Sequence, residues 1–161
     1  MMAAPGQLQS EGTLIAAEAA AIHHDALAHQ RDAFDPRVLS RMDKGRSLTA
    51  PYYVNLLLQR QQLQAQMDAA MQDVDLLLLP TIAITAPRIA DLLEDDDAFF
   101  AANGLILRNT SIFNFYDLPA LSLPAPRAAA ELPVGIMLVG QRMQDRQLLA
   151  IAAAIEQSLP K

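Results

Sequence analysis

The residues best suited to metal chemistry are three histidines. His23, His24 and His29 share a stretch with Asp25 and Asp32, and Asp25, His29 and Asp32 recur at i, i+4 and i+7, on one face of a helix. A zinc site needs a second ligand cluster to close its coordination sphere, and the sequence has no other His and no Cys. His29 also falls on a stripe of small residues, so a structural role is expected for it and no metal is assigned. Glu94-Asp95-Asp96-Asp97 gathers carboxylates, but a calcium loop alternates its ligands around a central Gly and closes on a distal Glu. This run has neither feature and reads as a solvated acidic loop. Of the serines at 10, 40, 47, 111, 122 and 158, none stands in G-x-S-x-G or S-x-x-K. Lys44 and Lys161 have no serine at motif spacing, and the six glycines form no phosphate cradle. No catalytic residue and no cofactor is assigned.

The elements that would position such groups are helical for the most part. Ala and Leu make up a third of the 161 residues, Trp is absent and Tyr plus Phe number eight, which favours helix and nearly excludes an all-β barrel. With 52% apolar and 19% charged residues, the chain is expected to fold rather than remain disordered. A net charge of −6 with no Lys/Arg cluster argues against nucleic acid or an anionic membrane as partner. The longest aliphatic run, Leu76 to Leu79, is far short of the ~20 residues of a membrane span. The opening residues have no basic and apolar signal pattern, so a cytoplasmic protein is expected.

Residues 1–11 read as a flexible leader, 12–158 as a single domain and 159–161 as a tail. Ile15, Ala19, Ile22, Ala26, His29 and Ala33 recur at steps of three and four, which predicts one amphipathic helix from Gly12 to Asp32. Asp35-Pro36 predicts a cap and start, and Gly45 a stop, for a helix over 36–44. Thr49 caps a longer helix, Ala50 to about Gln72, with Tyr53, Leu56, Arg60, Leu63, Met67, Ala70 and Val74 as its stripe. Arg60 on that stripe predicts a buried, paired guanidinium. Asp75 to Leu79 reads as a buried strand ending at Pro80, Ala98 to about Leu107 as a helix, and Ala120–Leu123 and Val134–Val139 as strands. The last strand does not alternate, so both its faces should be covered. Asp145 is expected to cap a final helix to Ser158 with Leu148, Leu149, Ala152 and Ile155 inward.

Two stretches remain: Asn109-Thr110-Ser111-Ile112-Phe113-Asn114, then Leu118-Pro119-Ala120-Leu121-Ser122-Leu123-Pro124. With Leu132-Pro133-Val134-Gly135, Leu138-Val139-Gly140 and the final helix, their order and spacing resemble the carboxy-terminal part of the amidase signature family. Earlier segments fit as well: Glu18-Ala19 with His23, Phe34 to Val38 with Arg41 and Gly45, Tyr53 with Arg60 and Leu63, then Asp75 to Thr81 and Ala86-Pro87. The likeness covers about residues 11 to 158.

The resemblance implies an α/β, helix-rich fold, with a few short strands of a mixed sheet covered by helices, and hydrolysis of carboxamides. The family activates a Ser nucleophile through a second Ser and a Lys, set in and upstream of a Gly/Ser-rich segment that lies amino-terminal to the matched region. This sequence has no Gly-Ser-Ser-Gly-Gly-like run, so the triad is carried over to none of its residues. By likeness Arg41, Pro80, Thr81, Asn109, Thr110 and Asn114 would line the acyl side of the substrate cleft. The expectation is a carboxy-terminal amidase portion, inactive alone, whose partner is an amino-terminal amidase half or a second copy in a homodimer. The alternative is a non-catalytic, self-associating helical module on the same scaffold. Two departures from the family stand out. Asp117 replaces a usual Gly, whose φ > 0 Asp tolerates, and Ala125-Pro126 replaces a frequent Cys-Gly, so the loop after Pro124 is expected to run differently.

Overall fold

The computed structural model describes residues 2–9, 13–126 and 132–159. Residues 1, 10 and 11 of the expected leader and 160 and 161 of the expected tail lie outside them. The chain divides into two compact units, Met1–Leu63 and Gln64–Lys161.

The first unit is helical. Helices α1 (Ala4–Leu8), α2 (Leu14–Ile22), α3 (His24–His29) and α4 (Pro36–Arg46) precede α5 (Ala50–Ala70), which runs across the boundary. The helix starts follow the sequence. Thr13 Oγ1 accepts from the Ala16 N–H at 3.1 Å, Asp35 from the Arg37 N–H at 2.8 Å and Thr49 from the Tyr52 N–H at 3.3 Å, each side chain satisfying an amide that the helix leaves without a partner.

The long helix expected over 12–32 is broken at His23, and its stripe faces the wrong way. Ile15 is 70% and Ile22 79% exposed, while Leu14, Ala20 and Leu27 are buried. The cause lies in α4. Gly45 does not stop that helix but sits inside it, where an added Cβ would lie 2.0 Å from the Ala16 carbonyl oxygen. The α2 and α4 backbones therefore cross at a contact that only small residues permit, and this contact, not the isoleucines, sets the inward face of α2. Ala20, Leu27 and Met42 form the core there, flanked by Ala19, Phe34 and Leu39. Arg31 reaches Asp43 through two hydrogen bonds of 3.1 and 2.6 Å. On α5, Arg60 is half-buried rather than buried.

The second unit carries the sheet. Strands β1 (Leu77–Pro80), β2 (Ala120–Pro124) and β3 (Gly135–Val139) lie in the order β1-β3-β2, both pairings antiparallel. As its unbroken apolar pattern requires, β3 is central, with Met137, Leu138 and Val139 buried. Strand β1 is an edge: it starts at Leu77, includes Pro80, and leaves Leu78 62% exposed instead of buried. Helix α7 (Asp145–Ser158) lays Leu148 and Ala152 on Leu123 and Leu138, with Leu76, Leu121, Ile136 and Ile155 at the margin. Asp145 is its first residue and not its cap, which is Gln144. Leu149 is exposed rather than inward.

Helix α6 (Asp96–Tyr116) starts before and ends well after the expected Ala98–Leu107. Asp95 caps it through the Ala98 N–H at 2.9 Å, and Asp96 and Asp97 occupy its first turn. The acidic run is thus a helix start, where carboxylates complement the amide dipoles.

Candidate functional site

The six cleft residues expected by resemblance separate into a group that meets and others that do not. Pro80, Thr81 and Asn109 come together at one end of the sheet. Asn109, buried on α6, donates from Nδ2 to the Pro80 carbonyl at 2.8 Å. Pro80 has no N–H, so this bond holds the remaining polar main-chain group of the turn. The next residue is fixed from two sides: the Thr81 N–H donates to the Gly135 carbonyl at 2.9 Å, and Thr81 Oγ1 lies 2.6 Å from Ser122 Oγ.

That hydroxyl pair spans the central strand. Thr81 follows β1 and Ser122 lies on β2, with β3 between them, and the residue of β3 beneath is Gly135. A Cβ at Gly135 would stand 2.4 Å from Ser122 Oγ and 2.6 Å from Thr81 Oγ1. The bare strand is therefore what lets the two hydroxyls meet. Ser122 is a residue that sequence reasoning passes over as a site. The available signal is Gly135 itself, since a glycine in an aliphatic strand marks a close approach.

The remaining expected residues are placed otherwise. Thr110 returns its hydroxyl to the Leu107 carbonyl of its own helix at 3.3 Å, and Asn114 is exposed near the end of α6. Arg41 is exposed on α4 in the first unit. Of the candidate metal residues, His29 Nδ1 lies 2.9 Å from its own helix's Asp25 carbonyl, and His23 stands edge-on to Phe34 at 6.0 Å. Among the described residues no group of three or more His, Cys, Asp or Glu gathers around a common point.

The turn after α6 leads into the other end of the sheet, where Ala120 is paired with Val139. Asp117 adopts φ 56°, ψ 38°, the left-handed conformation that Asp and Asn enter more easily than other non-glycine residues. Its carboxylate accepts from Nε2 of the buried Gln64 at 2.7 Å. One residue earlier Tyr116 is fully buried, and burial pushes its phenol above the ordinary value. Chemically the cluster offers hydroxyls, an amide and carbonyls. Such groups hydrogen-bond polar, uncharged partners.

The family model described as Amidase matches residues 2–149. The chain is 32% identical over 145 residues to 2-amino-5-chloromuconic acid deaminase of Comamonas testosteroni, covering 90% of this chain and 31% of that protein. It is 33% identical over 131 residues to a glutamyl-tRNA(Gln) amidotransferase subunit from Halobacterium salinarum, covering 78% and 30%. Among solved structures, one described as an amidase superposes with a TM-score of 0.78 at 28% identity, over 91% of this chain and 34% of that one. The Kluyveromyces lactis urea amidolyase, at 24% identity and TM-score 0.80 over 94% of this chain and 9% of its own, shares the fold. The chain spans about a third of the length of the curated relatives it matches. Among the described residues no helix is long and apolar enough to cross a membrane. On the match to the family model across most of its length, this chain belongs to the amidase family.

Proposed function

We propose that this chain is the carboxy-terminal portion of an amidase-type hydrolase, supplying scaffold and one wall of the carboxamide cleft without hydrolysing amides by itself. The observation that carries the reading is the Thr81–Ser122 pair. The serine drawn into the cluster faces another hydroxyl, a hydroxyl can relay a proton only with a base behind it, and the two lysines of the sequence, Lys44 and Lys161, have no serine at motif spacing. Pro80, Thr81 and Asn109 then act as wall residues, with Ser122 beside them. The nucleophilic Ser, its partner Ser and the Lys come from an amino-terminal amidase half, in the same polypeptide or another, and a second copy occupies the open surface where that half is not supplied. The setting is cytoplasmic.

Ammonia release from benzamide and propionamide by the purified chain tests this. No turnover above buffer is expected, because without a nucleophile and its base only binding effects remain. Turnover abolished by Ser122→Ala, or by any other single Ser→Ala change, would overturn the reading.

The self-associating helical module is favoured by one observation, the exposure of Ile15 and Ile22 on α2. Ile15→Lys with Ile22→Lys dissociating an otherwise stable oligomer would support it. An unchanged oligomer would exclude those isoleucines as its interface.

A further inference from the structure

The main chain leading into Thr81 is fixed. The Thr81 N–H donates to the Gly135 carbonyl at 2.9 Å, and the carbonyl before it, on Pro80, is held by Asn109 Nδ2 at 2.8 Å. The side chain still has a choice. Threonine has three staggered χ1 positions, and its hydroxyl and methyl are close in size, so shape alone does not decide which of the two lies over β3.

Ser122 and Gly135 decide it. Thr81 Oγ1 lies 2.6 Å from Ser122 Oγ, a separation that suits two hydroxyls sharing a proton and excludes carbon. A methyl in the place of Oγ1 would stand about 1 Å inside the ~3.5 Å at which non-bonded carbon contacts settle. The space beneath is equally exacting. A Cβ on Gly135 would lie 2.4 Å from Ser122 Oγ, 2.6 Å from Thr81 Oγ1 and 3.2 Å from Thr81 Cβ, so the hydroxyls meet over a glycine and would part over any larger residue. Ser122 presents its Oγ from a strand whose register is set by pairing with Met137. The hydrogen count follows. Two hydroxyls carry two protons; one lies between the oxygens and the other turns away from both. The hydroxyl that accepts becomes the stronger donor.

We propose that Ser122 is a positioning residue for Thr81: over the bare strand at Gly135 it selects the rotamer that sets the Thr81 hydroxyl above β3 and turns the methyl away. Its part in the cleft rests on the reading that Thr81 belongs to the wall. A polar, uncharged group meeting the wall there finds a donor and lone pairs held in one place, and no methyl rotates in to cover them. All three residues lie in the second unit and meet one another directly, so the device is complete within the sheet.

Three-bond scalar couplings of Thr81, read by NMR in the isotope-labelled full chain, test it. The wild type should show a single χ1 rotamer. In Ser122→Ala the ratio of that rotamer to the others should fall about three- to ten-fold, the worth of one neutral hydrogen bond. The Thr81 N–H should keep its exchange protection there, because its bond to the Gly135 carbonyl is untouched. Gly135→Ala should release Thr81 in the same way by parting the hydroxyls. Ser122→Thr returns a hydroxyl on a residue that strands favour and should restore the single rotamer, a rescue that a change in stability alone would not produce. Thr81 couplings already averaged in the wild type, or unchanged in both Ser122→Ala and Gly135→Ala, would each overturn the proposal. Ammonia release from propionamide by the full chain would overturn the proposed lack of catalysis and leave the positioning of Thr81 standing, since the couplings are read without turnover.

Discussion

Replacing Gly45 by Ala tests the packing of the first unit directly. An ideal Cβ there would lie 2.0 Å from the Ala16 carbonyl oxygen, 2.3 Å from its carbonyl carbon and 2.8 Å from the Ala17 nitrogen. Non-bonded carbon contacts settle near 3.5 Å, so α2 would have to withdraw by roughly 1.5 Å. The obstacles are main-chain atoms of a helix and cannot rotate away, so the cost belongs at the upper end of the 1–3 kcal/mol typical of overpacking, about 3 kcal/mol. Alanine gains about 1 kcal/mol over glycine inside a helix. The net expectation is a loss of about 2 kcal/mol, or a Tm lower by roughly 4 to 8 °C for a chain of this size. Urea unfolding followed by far-ultraviolet circular dichroism reads it, as a lower midpoint at unchanged slope. Gly104 is the control, because it lies in α6 and a Cβ there meets nothing within 4 Å. Gly104→Ala should therefore stabilise by about 0.5–1 kcal/mol. If Gly45→Ala proved as stable as Gly104→Ala, the close crossing of α2 and α4 would be refuted.

Two further outcomes follow from side chains the structure places. Gln141 donates from Nε2 to the Met71 and Val74 carbonyls at 2.9 and 3.0 Å, where α5 has just ended, so Gln141→Ala should lower stability by about 1–3 kcal/mol in urea unfolding, through the two hydrogen bonds lost, the Met71 carbonyl keeping only the Val74 N–H at 3.1 Å. The hydrogen bonds from Arg31 hold the Asp43 carboxyl below its ordinary value of 3.8. The folded chain gives up that proton more readily than the unfolded one, so the contribution is present above about pH 4 and is lost as pH falls through the folded-state value. Asp43→Asn should flatten the acid-side fall of the thermal midpoint below pH 4, and raised salt should shrink the difference at pH 7, since this pair is open to solvent.

Local chemistry is legible in the sequence. The caps at Asp35 and Thr49 depend on a side chain and amides two or three residues on, and both are found where residue type and spacing put them. The left-handed turn at Asp117 is likewise a local conformation, expected from the glycine usual there in the resembled family and tolerated by Asp. The central place of β3 follows from a run of apolar residues that leaves no face for water. The likeness to amidases is carried by short motifs in order, and a motif survives in sequence whatever surrounds it.

What the tertiary structure alone decided is which of two possible faces each element turns inward and which distant groups meet. Periodicity marks Ile15 and Ile22 as a core stripe, but Gly45 brings a helix backbone against Ala16, and the closest approach wins over the larger side chains. Pro80 and Asn109 are 29 residues apart and Thr81 and Ser122 are 41 apart. Nothing local in either partner requires the other, since an Asn amide or a Thr hydroxyl is equally satisfied by water until the strand order β1-β3-β2 puts a bare glycine between them. Even the two sheet edges are alike in sequence, each an aliphatic strand ending at a proline. They differ at that proline, because an asparagine on α6 reaches the Pro80 carbonyl, a pairing that only the folded chain creates.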